Sequence, residues 1–560
     1  MDLKRAINLS IENVKKEGIT DIFERPFELD LLNDKAFVKK IDNSLLSCIN
    51  SNSLSGLKIQ HIDYVLLPKT SAFSFRKCAL MQPLDTLKYN ALVLTLADII
   101  EKARIPLAKH RVFSYRLHPS NGYLFNKKYS ITTFRETASK KAKRSSVKFI
   151  ISCDIASFYD HLNIHRLENI LYSIGCDRNR VKLINDLLLT WSGRDSYGLP
   201  VGSNGSRILA EASLIDIDNF LISHNIDFIR FVDDYRMFAP DAKTANYWLT
   251  LLIERLQQEG LSINTSKTKI EESRIFTKSN HLDKDNDAIN TDPINTTPSE
   301  KQDVLIKSKL VLSSDRLTSV VHRSAIRAGY GGTVPTKFRE LSEREVRNLT
   351  TENLETILKS LKSTELICPE DFIKALRTCI AQKQHDTLIE FIPILEKYLQ
   401  LTPYFVDILI KFSSQLSPAS IRKIKDYFYT EINKSDYTPE YLMLAHIRLL
   451  GEKNYSDSNL LMQYFRNLKR NSGVYIGRVI LDSLYNHLVP IIDRDKAIEV
   501  RKIFERADNW EKRAIIRIIK NVLPDDEKRP WLKNVKYIET DELFLQELLL
   551  AEGQKRKRNN

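Results

Sequence analysis

DFIRFVDDYRMFA, residues 227–239, is an apolar run, an adjacent Asp pair and a second apolar run. Aromatic and β-branched residues on both sides of the pair predict two strands joined by a tight turn, with Asp233 and Asp234 at the tip. An Asp pair in a turn is by itself an ordinary turn feature, so its meaning depends on what stands around it. Upstream, KFIISCDI (148–155) predicts a strand that delivers Asp154 at its end, just before ASFYD. Three carboxylates on neighbouring strand ends can bridge two Mg²⁺ ions about 4 Å apart, the geometry that activates a hydroxyl nucleophile and stabilises a leaving pyrophosphate.

Two further segments lie in order around these acids. GLPVGSNGSRILAEA (198–212) is a Gly/Pro/Ser-rich loop that runs into a helix with small residues at its start. Such a segment lets a nucleic-acid strand and a nucleotide approach the backbone closely. GLSINTSKTKI (260–270) places Lys267 after a short strand, where an ammonium can meet a triphosphate or protonate pyrophosphate. Helices are expected at Asn204–Phe220 and Ala242–Glu259, so residues 149–275 read as an α+β unit.

Outward from this unit the character of the chain changes. Residues 1–148 mix helical periodicity with short strand-like runs such as Ile62–Leu67. Between Lys102 and Lys148, Lys and Arg alternate with Phe113, Tyr115, Tyr123, Phe125 and Tyr129. That composition suits a nucleic-acid path, positive charge tracking the backbone and aromatic faces stacking bases, and equally a solvated face over core aromatics. Residues 276–300 are a polar, Asn/Asp/Thr-rich linker, and 301–342 a connecting segment. From 343 to 550, apolar residues recur at helical spacing in segments such as DTLIEFIPILEKYLQ, PEYLMLAHIRLL and WEKRAIIRIIKNVL. These helices pair in units of roughly forty residues, which predicts an all-α, HEAT-like repeat domain, with an ordinary helical bundle as the alternative. Residues 551–560, ending QKRKRNN, read as a basic, disordered tail.

Composition sets limits. With 85 Lys+Arg against 71 Asp+Glu the chain carries +14, which favours polyanionic partners. The six cysteines (Cys48, Cys78, Cys153, Cys176, Cys368, Cys379) are scattered and form no zinc-ligand spacing, so a reduced, intracellular protein is expected. No apolar run is long enough to cross a membrane and the N-terminus lacks a secretory pattern.

In order, DIASFYD, GLPVGSNGSRILAEA, FVDD and GLSINTSKT resemble motifs A, B, C and D of reverse transcriptases, and LPKTSAFSFRKCALMQPLDTLKYNALV resembles their fingers segment. The resemblance covers roughly residues 60–270. It implies that Asp154, Asp233 and Asp234 are the catalytic, metal-binding aspartates. It implies two Mg²⁺ ions, for which Mn²⁺ can substitute, and a catalytic role for Lys267. Tyr159 then stands where an aromatic steric gate disfavours a ribose 2′-hydroxyl, so deoxynucleoside triphosphates are the expected substrates. Lys69 and Arg76, near Pro68, match fingers groups that meet the triphosphate, and Gly202 falls in the substrate-binding loop. One position departs from the family: Val201 stands where a Gln usually follows the motif B Pro, and Val cannot hydrogen-bond a nucleotide.

RVFSYRLHP (111–119), the wording of motif B and the long helical C-terminal region resemble bacterial abortive-infection and defence-associated reverse transcriptases. That resemblance implies a cytoplasmic bacterial DNA polymerase, RNA-directed or template-independent, acting in antiphage defence. It further implies an RNA template or non-coding RNA, protein priming with the DNA product covalently attached, and a homo-oligomer. A retron-like or group II intron-like reverse transcriptase is the alternative enzyme, although no HNH endonuclease segment accompanies the motifs. A non-catalytic nucleic-acid-binding scaffold is the alternative of another class.

Overall fold

The computed structural model of the chain describes residues 1–20, 22–23, 25–68, 75–193, 195–277, 320–321, 338–339, 343–364, 369–434, 438–467, 474–485, 492–538 and 542–555. Residues 278–300 of the expected linker, most of the connecting segment and 556–560 of the tail lie outside them. Chain order begins with helices α1 (Leu3–Glu17), α2 (Lys35–Asn50) and α3 (Leu54–Leu57), followed by strands β1 (Asp63–Pro68) and β2 (Phe75–Leu80). Helix α4 (Pro83–Ala103), strands β3 (Leu117–Ser120) and β4 (Tyr123–Phe125), helix α5 (Ile131–Ala142) and strand β5 (Phe149–Asp154) come next. Then follow α6 (Phe158–His161), α7 (Ile164–Ser173), α8 (Arg178–Trp191), α9 (Asn204–Ser213), α10 (Ile215–Ser223), β6 (Phe228–Phe231), β7 (Asp234–Ala239), α11 (Ala242–Gln258) and β8 (Lys269–Glu272).

The fold divides into two compact units. Residues 1–21, 25–62 and 81–300 make one; residues 22–24, 63–80 and 301–560 make the other.

The first unit is built on a four-stranded antiparallel sheet of order β6-β7-β5-β8. Successive side chains of a strand point to opposite faces, and in β5, β6 and β7 both faces are largely covered, which suits their mostly apolar sequences, whereas β8, KIEE, is a polar edge strand. Ile150, Ile229 and Phe238 join Phe113, Ile131, Phe134, Ala138 and Val147 in one core cluster beneath α5. Ile151, Met237 and Phe228 alternate to the other face, where α11 packs on β5 and β7. Helix α4 is buried nearly all round, with Leu87, Tyr89, Ala91, Leu92, Val93 and Leu94 inaccessible to solvent; the charges it also buries, Asp85 and Lys88, pair with each other at 2.9 Å. It packs against α1, α8 and α9. Gly205 lets α9 approach: its N–H donates to Asn90 Oδ1 at 2.9 Å, and a Cβ there would lie 2.9 Å from Tyr89 Cε1.

In the second unit the expected helices form two layers. Helices Thr402–Lys411, Glu440–Gly451, Val474–Leu484, Asn509–Val522 and Leu543–Lys555 pack each on the next, and the helices between them lie alongside. Their first residues are 34 to 38 apart, a little under the expected forty. Ion pairs tie one repeat to the next: Lys425 to Asp457 at 3.3 Å, Arg466 to Glu499 at 2.7 Å and Arg494 to Glu527 at 2.7 Å. The last helix runs to Lys555, because the apolar sequence LFLQELLLAEG carries it into the stretch expected as tail. The β1–β2 hairpin belongs to this unit; β1 packs on Glu440–Gly451 and the rings of Phe75 and Tyr441 are 5.6 Å apart. Strand β9 (Val320–Val321) pairs antiparallel with β10 (Phe338–Arg339).

Among the described residues no helix is long and apolar enough to cross a membrane. Cys48, Cys78, Cys153, Cys176 and Cys379 are free thiols; Cys368 lies outside the described residues.

Two stability measurements follow. Gly205→Ala should lower unfolding free energy by about 1–3 kcal/mol, because the ring of Tyr89 must move to admit a methyl group; equilibrium denaturation would read it. In the helical unit, burial and then the neighbouring Asp508 push the Glu511 carboxyl up to about 7. An acid with a higher pKa folded than unfolded opposes folding increasingly as pH rises from its ordinary 4.5 to about 7. Glu511→Gln should therefore raise the thermal midpoint by about 2–4 °C at pH 8 and leave it unchanged at pH 4; an equal rise at both would show that charge is not the cause.

Candidate active site

Asp154 ends β5 and Asp234 begins β7, and the antiparallel register sets them directly opposite each other. Cross-strand partners share a face, so two carboxylates from distant parts of the chain meet at one end of the sheet. Asp233 occupies the turn just before Asp234, and its carbonyl accepts from the Ile155 N–H at 3.1 Å, extending the pairing beyond the acids. The Asp154 side chain is 11% exposed and that of Asp234 35%. The expected hairpin is thus present, with β6 and β7 joined through Val232 and Asp233.

The turn is strained. Val232 has φ 56°, in the left-handed region where a β-branched residue is an outlier. Its carbonyl accepts from Arg230 Nη1 at 2.9 Å. Arg230 is fully buried and forms a two-pronged pair with Asp218, Nε to Oδ1 at 2.9 Å and Nη2 to Oδ2 at 2.6 Å, and a third contact with Glu211 Oε2 at 3.1 Å. Burial works to lower its pKa, but the Asp218 and Glu211 carboxylates outweigh burial and hold the guanidinium charged.

Lys267 lies at the same end of the sheet, its Nζ 3.1 Å from Asp154 Oδ2, on a side chain 64% exposed. It precedes β8 and follows an isolated bridge between Ile155 and Ile263, instead of following a full strand. Asn264, absent from the expected set, donates its Nδ2–H to the same Asp154 oxygen at 3.1 Å and its backbone N–H to the Asp154 carbonyl at 2.7 Å. Arg236 stands 3.7 Å from Asp234 Oδ1. The three acids are the hard oxygen donors that Mg²⁺ accepts, though among the described residues no three His, Cys, Asp or Glu are gathered tightly enough to enclose an ion; Asp154 instead faces Lys267 and Asn264.

Tyr159 lies on the short helix α6, partly buried, and its carbonyl accepts from the Leu199 N–H at 2.9 Å, tying the 198–212 loop to it. Burial, and then the nearby Tyr115, hold its hydroxyl well above the ordinary pKa, so it stays protonated. Gly202 has φ 124°, a conformation that side chains disfavour, and it directly precedes Ser203, which caps α9 by accepting from the Ser206 N–H. Val201 is buried, so its side chain packs inward. The expected helix 204–220 is two helices, α9 and α10, separated at Leu214.

The two residues expected from the fingers segment are Arg76 and Lys69. Arg76 lies half-buried on β2, in the second unit. Lys69 lies outside the described residues.

The family model described as reverse transcriptase (RNA-dependent DNA polymerase) matches residues 74–295. No curated protein matches the chain significantly. Among solved structures, telomerase from Candida albicans in complex with a fragment of telomeric RNA aligns with 14% identity, over 78% of this chain and 71% of that one, at a TM-score of 0.29. Apo telomerase from Candida tropicalis aligns with 11% identity over the same shares, also at 0.29. The motif match, the sheet and its acidic end together make residues 74–295 a reverse transcriptase domain, and the chain an RNA-directed DNA polymerase.

Proposed function

We propose that the chain is a bacterial antiphage-defence DNA polymerase of the abortive-infection kind, primed on protein and acting in the cytoplasm as a homo-oligomer. The observation that carries this reading is the succession, in one chain, of motifs A to D and a two-layered helical stack with a repeat of 34 to 38 residues. We read that stack as a HEAT-like repeat domain that guides product or mediates assembly.

In this reading Asp154, Asp233 and Asp234 hold Mg²⁺, with Mn²⁺ able to substitute. The ions, when bound, supply the charge that activates a 3′-hydroxyl and offsets the leaving pyrophosphate. Asp154 exchanges Lys267 and Asn264 for that role, and Lys267, on its exposed stem, turns to the pyrophosphate as charge partner or proton donor. Tyr159 stands beneath the sugar and rejects a 2′-hydroxyl by bulk, its protonated phenol adding no charge. Gly202 keeps the backbone open beside the nucleotide, and Lys69 and Arg76 pair with the triphosphate. Deoxynucleoside triphosphates, an RNA template or non-coding RNA, and a covalently attached DNA product are the partners.

Two experiments test the reading. Purified chain is incubated with Mg²⁺ and each deoxynucleotide, with and without RNA template and primer, and resolved on denaturing gels before and after protease. Product whose mobility shifts after protease supports protein priming; product only with added template and primer favours a retron-like or intron-like enzyme. Asp233→Asn with Asp234→Asn should lower incorporation at least about a hundredfold, and synthesis that survives would place the site elsewhere. In the second, Tyr159→Ala should raise ribonucleotide use relative to deoxynucleotide about tenfold or more; an unchanged ratio would remove Tyr159 from the gate.

A further inference from the structure

The segment RVFSYRLHP has no role in the chemistry described so far, yet it docks on the strand that leads into the acidic turn. Arg230 N–H donates to the Arg111 carbonyl at 2.7 Å and Phe113 N–H to the Arg230 carbonyl at 2.9 Å, a parallel pairing of Val112 with Arg230. Parallel register then carries Ser114, two residues on, level with Val232, two residues past Arg230. There the Val232 N–H donates to Ser114 Oγ at 2.9 Å. The Ser114 hydroxyl donates in turn to Glu211 Oε1, and Glu211 Oε2 meets Arg104 Nη2 at 2.6 Å and Arg230 Nη1 at 3.1 Å. Ser114 and Arg230 are inaccessible to solvent, and Glu211 is 1% exposed.

Both backbone polar groups of the one strained residue in the turn are thereby held, the N–H by Ser114 and the carbonyl by Arg230, and Glu211 anchors both holders. We propose that Ser114 is a positioning residue for Asp233 and Asp234: its oxygen keeps Val232 in the left-handed conformation that aims the two carboxylates. A serine suits this place because its hydroxyl accepts from one group while donating to another. Without that acceptor the buried Val232 N–H has no partner, and a β-branched residue relaxes toward negative φ, turning the following acid away. The inference rests on the polymerase reading of the acidic turn and assigns the geometry of that turn to a residue outside the four motifs.

The experiment is a cycle of Ser114→Ala and Val232→Gly in the full-length chain, with nucleotide incorporation measured at saturating and limiting nucleotide and folding followed by circular dichroism. Glycine adopts positive φ at no steric cost, so it should not need the Ser114 oxygen. Ser114→Ala is expected to lower kcat about tenfold in the Val232 background, with KM within about twofold, and to lower it less than about threefold in the Val232→Gly background. Equal factors in both backgrounds, or full activity of Ser114→Ala, would overturn the inference. If Ser114→Ala does not fold, Ser114→Cys, similar in size and a weak acceptor, is measured in both backgrounds against the same criterion. A wild-type chain without incorporation under any condition would overturn the polymerase reading and this inference with it, whereas an active wild type with an indifferent Ser114 overturns this inference alone.

Discussion

A valine held at φ 56° closes the β6–β7 hairpin, and the acidic end of the sheet depends on that single conformation. A non-glycine residue in this region costs about 1–3 kcal/mol and persists only where its surroundings over-determine it. Here the surroundings do so from three sides. The antiparallel register fixes Asp234 opposite Asp154, the Asp233 carbonyl is tied to Ile155, and the peptide groups of Val232 are bonded to Ser114 and Arg230. A relaxed two-residue turn would keep the strands paired and still misdirect Asp233. The strain is therefore a property of the site, and the buried charges behind it are what sustain it.

Those buried charges are an unusual expenditure of stability. Taking Arg104, Arg230, Glu211 and Asp218 out of water is expensive, and their mutual attraction compensates only with good geometry and further hydrogen bonds. The two-pronged Arg230–Asp218 pair and the Arg104–Glu211 contact meet that condition. Arg104 also donates to the carbonyls of Ser114 and Tyr115, so the cluster fixes backbone as well as side chains. An apolar core of the same volume could match the stability but could not hold the N–H and carbonyl of an irregular turn.

What was legible in the sequence follows from how local each signal is. Apolar runs rich in aromatic and β-branched residues placed β5, β6 and β7 within a residue or two, since FIISCD and FIRF carry their own strand preference. The acids and Lys267, which lie at one end of the sheet, stand in short motifs that local reading can pick out. Ser114, Glu211 and Asn264 escape such a reading, for their partners lie about a hundred residues away and an isolated Glu or Asn reads as surface. The one available hint was a charge inside an apolar run: Arg230 in FIRF and Glu211 in ILAEAS sit at positions that periodicity points inward. The break at Leu214 had no Gly or Pro to announce it. The grouping of Asp63–Leu80 with the helices was equally hidden, because it depends on contacts such as Phe75 with Tyr441, hundreds of residues apart in sequence.

Electrostatics at the sheet end supply the remaining constraint. Three carboxylates on adjoining backbone positions repel one another, and the register prevents them from moving apart. Lys267 at 3.1 Å from Asp154 and Arg236 at 3.7 Å from Asp234 offset part of that repulsion. Burial pushes the neighbouring Cys153 thiol up to about 11, so it stays neutral and adds no further anion beside Asp154. The two cations differ in how they are held. Arg236 also donates to the Tyr235 carbonyl at 2.9 Å and lies over the ring of Phe134, whereas most of the Lys267 side chain is in solvent. An exposed ammonium contributes little to stability in such a pair, so it can leave at small cost when another positive charge takes its place. Lys267 is thus held at Asp154 by its ammonium alone, while Arg236 is fixed by backbone and ring as well.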